Sequence, residues 1–259
     1  MNGSKLMAKV LALFLFIIQE SHSQTLNMGY FVLPPHQMAA SGPVPKPTGA
    51  AIAYFEIVAE KAGLKVTWTG LPLLRLTEYL NTGKIDGSVN YPKFKVFESM
   101  MYFCSAPMYF GKGIFIVKKD SAIETIRSID DIKGLRIGVV HSKSDLYTPI
   151  IDRNRDKIIL EKTPDLDWAR QNLMYLMRGS VEALFDRQQY TLPYIAKTLH
   201  LDDQIKTIDA PEPERAFYIV FSKAVSRNPE VLRKINQVVL SPESPDYIKL
   251  MAKQFARVE

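Results

Sequence analysis

Four times along this chain a helix-forming stretch stops at a glycine and an apolar strand run begins within two residues. Gly63 precedes Leu64 to Thr69, Gly83 precedes Ile85 to Val89, Gly134 precedes Leu135 to Val140, and Gly179 precedes Val181 to Phe185. Glycine reaches the left-handed conformation that ends a helix at no steric cost, so each marks a helix stop rather than a flexible linker. The stretches before these stops carry apolar residues at helical spacing: Ile52, Phe55, Ala59 and Ala62, then Leu73, Leu76 and Leu80, then Leu166, Ala169, Leu173 and Leu176. Helix and strand alternating in this way predict an α/β fold, a mainly parallel sheet with helices on its faces.

The first residues read differently. Lys5 and Lys9 give a positive start, Val10 to Ile18 is a short apolar run, and Ser21-His22-Ser23 supplies small residues before Gln24. Residues 1–23 are therefore expected to be a cleavable signal peptide, with an apolar run well short of the ~20 residues a membrane span needs. Export to the periplasm follows, and no later segment predicts a membrane-spanning helix. Removing Lys5, Lys9 and Glu20 takes the formal charge from +6 to +5. No dense Lys/Arg block accompanies it, which argues against a nucleic-acid partner. The single cysteine, Cys104, rules out an internal disulfide and reads as a small buried hydrophobe.

The strand and helix pattern runs twice. Thr25 to Val32 is a first strand, stopped by Leu33-Pro34-Pro35-His36. From Asn81 to Lys119 the chain ends one unit and crosses into another, with one crossing expected near Phe110 to Ile114 and the return near Ala210 to Arg215. Ala216 to Phe221 is a strand, followed by two helices, each opened by a cap, a proline and an acid, Asn228-Pro229-Glu230 and Ser244-Pro245-Asp246, with Leu232, Ile235, Val239, Ile248, Met251 and Phe255 facing inward. The expected division is a discontinuous lobe 1, residues 24–112 and 213–259, and a lobe 2, residues 113–212.

Several motifs in this order carry a resemblance. They are the Pro-Pro turn, Gly-Lys-Ile-Asp (83–86), Ser-Ala-Pro-Met-Tyr (105–109), Asp-Asp-Ile-Lys-Gly-Leu-Arg-Ile-Gly-Val (130–139), Gly-Ser-Val-Glu-Ala-Leu-Phe-Asp (179–186) and Phe-Tyr-Ile-Val-Phe-Ser-Lys (217–223). Together they resemble the family 3 extracellular solute-binding proteins across essentially the whole mature chain. The resemblance implies the two-lobed type II periplasmic binding protein fold. It also implies capture of a small polar or charged, amino-acid-like solute in a cleft between the lobes, with delivery to the membrane subunits of an ABC importer. No cofactor is implied, and a monomer is the expectation.

Candidate ligand contacts follow, each beside its plainer reading. Asp186 matches the family's aspartate that pairs with a ligand ammonium group; the other reading is a cap for the helix after it. Ser142, Lys143 and Ser144 fall where the family holds an anion at a helix N-terminus, with Lys143 a departure that could equally be solvated. The family's amino-acid binders usually carry an arginine clamp near Phe97-Glu98-Ser99, where this chain has none, and Lys93 or Lys95 are the substitutes on offer. Arg75 is either a cleft residue or a solvated helix residue. Tyr30, Phe31, Asn90 and Tyr91 sit at strand ends that would line the first lobe, though aromatics are more often core. His36, His141 and His200 show no metal-ligand spacing. An enzyme on this fold, a cyclohexadienyl-dehydratase-like lyase, would need Glu98 or Asp186 as general acid. A sensing module that passes its bound state to a receptor is the third reading.

Overall fold

A computed structural model describes residues 24–39, 46–140, 149–163 and 167–258. Residues 1–23, expected to be a signal peptide, and the candidates Ser142, Lys143 and Ser144 lie outside the described residues. The chain order is β1 (Thr25–Tyr30), α1 (Ala50–Lys61), β2 (Lys65–Gly70), α2 (Leu73–Thr82), β3 (Gly87–Pro92), α3 (Lys95–Glu98), β4 (Met101–Phe103), β5 (Tyr109–Gly111) and β6 (Ile114–Lys118). It continues with β7 (Arg136–Val140), α4 (Pro149–Asp152), β8 (Ile159–Thr163), α5 (Trp168–Arg178), β9 (Ala183–Asp186), α6 (Thr191–Thr198), β10 (Ile205–Asp209), β11 (Arg215–Ser222), α7 (Asn228–Val239) and α8 (Tyr247–Phe255).

Two sheets result, and they share one plan. The first runs β2-β1-β3-β11-β4 with β5 also on β11; the second runs β8-β7-β9-β6-β10. In each, three parallel strands stand in the order second, first, third, and the next strand runs antiparallel to the third. The chain passes between the sheets twice, from β5 to β6 and from β10 to β11.

Each sheet is covered on both faces. In the first, Leu26, Met28, Phe55, Val89, Phe217 and Ile235 build the core under α1, α7 and α8, while Leu76, Leu80, Ile85 and Met101 pack under α2. In the second, Phe115, Ile137 and Ile151 fill one face and Ile116, Leu173, Leu184 and Leu192 the other. Cys104 lies buried in the first core, and burial pushes its thiol pKa up. Gly83 and Gly179 end α2 and α5 in the left-handed conformation, as the helix-stop reading predicts.

The tail is tied to the first sheet by a buried carboxylate. Asp86 accepts from Asn27 N at 2.8 Å and from Arg227 Nη2 at 2.6 and 2.7 Å, and Asn228 Nδ2 bridges the Asp86 and Ser222 carbonyls at 2.8 Å each. Asn228 is therefore not the cap read from sequence; it is the first helical residue, with its carboxamide spent on the sheet. Likewise Asp246 rather than Ser244 caps α8, accepting from Lys249 N at 3.1 Å. Two predicted inward residues point out: Leu73 is 44% exposed and Ile248 is 55% exposed. Both sit in the first turns of their helices.

Candidate functional site

The sheets meet where β3 and β9 end. Opposite Ile219 of β11, β3 places two residues, Val89 and Asn90, because Tyr91 pairs with Tyr218 and Ser88 with Val220. Such a bulge re-aims one side chain, and Asn90 takes the left-handed conformation, φ 65°, that asparagine tolerates better than most residues. Tyr91 then packs on the α2 side, while the Asn90 carboxamide turns towards β5 and the second sheet. Its Oδ1 accepts from Tyr109 Oη at 2.6 Å, and its Nδ2 donates to Gln188 Oε1 at 3.4 Å, two residues past β9. Asn90 is only 2% exposed.

An aromatic stack supports this contact. The Tyr109 ring lies parallel to Phe217 at 4.9 Å and to Tyr247 at 4.2 Å, and His36 stacks on it at 5.4 Å. From the second sheet's side, Tyr190 meets His36 and Tyr109 edge-on at 5.5 and 6.3 Å. His36 Nδ1 and Tyr247 Oη are hydrogen-bonded at 2.6 Å. Burial lowers the His36 pKa to about 3, so the ring is neutral at neutral pH. Gly49 makes room for this loop: a Cβ there would lie 2.4 Å from the His36 carbonyl oxygen, and its φ of 121° excludes other residues without strain. The Pro35 and His36 carbonyls in turn accept from Ala50 N and Ala51 N, the first amides of α1.

Asp186 stands at the carboxyl end of β9, 3% exposed. Its Oδ1 accepts from Gln188 N at 3.0 Å and its Oδ2 from Leu192 N at 2.8 Å, in the first turn of α6. Burial raises its pKa, opposed by these backbone donors. The helix-cap reading thus accounts for both oxygens of Asp186, and the carboxylate shapes the turn that carries Gln188 and Tyr190.

The other sequence candidates are dispersed. Tyr30 ends β1, buried edge-on against Trp68 at 6.2 Å, and Phe31 packs half-buried near the α2 cluster. The Tyr91 phenol is buried away from the junction, beside Phe97 at 5.6 Å. Arg75 is exposed in the first turn of α2, and Lys93 is exposed with its Nζ 5.8 Å above the Phe103 ring, towards β4. Ser142, Lys143 and Ser144 lie outside the described residues. Of the candidates, Asn90 and Asp186 come together, joined through Gln188. Sequence reading passed over Gln188, Tyr190, Tyr109 and Tyr247 and noted of His36 only that it lacks metal-ligand spacing; Tyr109, in the Ser-Ala-Pro-Met-Tyr motif, was the one with a signal. Among the described residues no group of three or more His, Cys, Asp or Glu could hold a metal, and no helix is long and apolar enough to cross a membrane.

The Asn90 bulge offers a direct check. Asn90→Gly keeps the left-handed backbone but leaves the buried Tyr109 hydroxyl without its acceptor, an expected cost of about 1–2 kcal/mol. Asn90→Val adds backbone strain and is expected to be less stable than the glycine variant by roughly 1–2 kcal/mol, the reverse of the usual strand ranking. Urea denaturation of both variants reads the order directly.

No family model matches the chain. The probable amino-acid-binding protein YxeM of Bacillus subtilis (strain 168) is 28% identical over 157 residues, 59% of this chain and 56% of that protein, so the match spans little more than half of the relative. Among solved structures, the amino acid ABC transporter substrate-binding protein AbpA from Streptococcus pneumoniae, bound to L-arginine, superposes with a TM-score of 0.70 at 17% identity, covering 91% of this chain and 96% of that one. The chain has the type II periplasmic binding protein fold. The VFT2 domain of Bordetella pertussis BvgS (TM-score 0.69, 13% identity, 91% and 93% covered) and an ancestral arginine-binding protein bound to arginine (0.69, 22%, 89% and 98%) are similar to the same extent. In a fold of this type the strand ends of two like sheets face each other, which is where Asn90 and Gln188 meet.

Proposed function

We propose that the protein captures a small polar or charged, amino-acid-like solute between two lobes, residues 24–112 with 213–259 and residues 113–212, and delivers it to an ABC importer. In this reading the chain is exported by its first 23 residues, works in the periplasm as a monomer and catalyses no reaction. The observation that carries it is the junction itself: a bulged strand end on one sheet aims Asn90 at Gln188 on the other, so closure of two sheet ends on a solute would engage side chains already presented there. A probable amino-acid-binding protein and an L-arginine-bound substrate-binding protein among the similar proteins support the solute class. The lyase reading has less support, because Glu98 is exposed on the one-turn α3 and both Asp186 oxygens are held by backbone amides.

A thermal-shift screen of the protein with amino acids, polyamines, small peptides and organic acids tests the reading. A solute at about 100 times its Kd adds about 2.7 kcal/mol to native stability, a rise in Tm on the order of 5–10 °C for a chain of this length. If every class leaves the melting temperature unmoved, solute capture is rejected.

A further inference from the structure

Arg215 opens β11 at the lobe-1 end of the second crossing, and it pairs with Gly111, where the first crossing leaves the sheet. Its guanidinium carbon lies 5.4 Å from the centroid of the Phe94 ring. Phe94 stands two residues beyond β3, half-buried and 6.0 Å from Phe97. The guanidinium thus reaches from the base of the crossings to the edge at which the first sheet's parallel strands end, the edge where open α/β sheets take their ligands.

Its charge is unspent. Among the described residues no carboxylate pairs with Arg215, whereas Arg227 grips Asp86 and Arg233 holds Glu230 through two nitrogens. Arg75 and Lys93 are exposed, but Arg215 is half-buried and pre-oriented on an aromatic face, the setting in which a guanidinium is weakly hydrated and free to fork onto a planar anion. Phe97, meanwhile, occupies the stretch where the family resemblance places an arginine.

We propose that Arg215, seated on Phe94, is the anion-binding residue of the solute site and that the solute carries a carboxylate, held by the two outer nitrogens of the guanidinium. The proposal rests on solute capture between the lobes and adds which group of the solute is read and by which strand.

The test pairs each carboxylate with its own amide: L-arginine with L-argininamide, L-glutamate with its diamide, and succinate with succinamide. Wild-type protein is expected to bind at least one carboxylate and to bind its amide at least tenfold more weakly, by calorimetric titration. Arg215→Gln is expected to lose on the order of 10–100-fold in affinity for that carboxylate, and Arg215→Lys a smaller factor, since lysine offers a point charge rather than a fork. Both variants should keep the unliganded melting temperature to within about 2 °C, because a partly exposed cation–π contact contributes little to stability. If the glutamine variant melts early, the folded lysine variant carries the comparison. Equal binding of carboxylate and amide by the wild type, or unchanged carboxylate affinity in the variants, overturns the role of Arg215 and leaves solute capture standing. If the full panel of the preceding section yields no bound solute, capture itself is rejected and the Arg215 assignment goes with it.

Discussion

Acidification from pH 6.5 towards pH 3 is expected to remove on the order of 5 kcal/mol of stability through His36 alone. The folded-state pKa is lowered to about 3 from an ordinary value of 6.5, and burial is the cause. A depressed folded pKa means that the unfolded chain takes up the proton first. The contribution is therefore fully present above pH 6.5 and is lost as pH falls towards 3, at about 1.4 kcal/mol per pH unit. His36→Gln retains a polar partner for Tyr247 Oη but does not titrate. Urea denaturation between pH 7 and pH 4 is expected to show a flatter fall for this variant, by about one proton's worth of slope. Identical slopes in variant and wild type would mean that the ring is hydrated in solution and does not bind its proton differently on folding.

Removing the Asp186 carboxylate is expected to have a comparable effect on stability at neutral pH. Asp186→Ala strands the buried amides of Gln188 and Leu192 at the start of α6, a cost of roughly 2–4 kcal/mol for two charge-assisted bonds in a buried turn. Asp186→Asn keeps one acceptor oxygen and should cost less. The pH dependence runs opposite to that of His36. Burial raises the folded pKa of Asp186 above its ordinary value, so its contribution is greatest below the unfolded pKa of 3.8 and declines as pH rises through the folded one. The asparagine variant is thus expected to regain ground on wild type as pH rises from about 4. Were Asp186→Ala as stable as wild type while losing solute affinity, the carboxylate would belong to the ligand rather than to the turn.

Both residues show where sequence reading reached and where it stopped. The glycine stops and the apolar spacing of α1 and α5 are signals carried within ten or so residues, and they led to the α/β class and to the order of most elements. Strands β8 and β10 went unread because Ile159–Thr163 and Ile205–Asp209 lie at sheet edges, where lysine, glutamate and aspartate interrupt any alternation. Asp186 was legible as a residue with two possible uses. Choosing between them required knowing that α6 begins five residues later, close enough for its amides to reach the carboxylate.

Fold class and the type and order of most elements were thus determined by the sequence itself, since helix stops and apolar periods act through neighbours a few residues away. The aim of Asn90 was decided only in three dimensions. It depends on a register mismatch with Ile219, far along the chain, and on a hydroxyl from Tyr109 and an amide from Gln188 that different strands deliver to one point. The same holds for Arg215, whose place on Phe94 exists because β11 returns beside β3 after the whole second sheet has been built. Local preferences are short-ranged, whereas a site made of strand ends is assembled by pairings across more than a hundred residues.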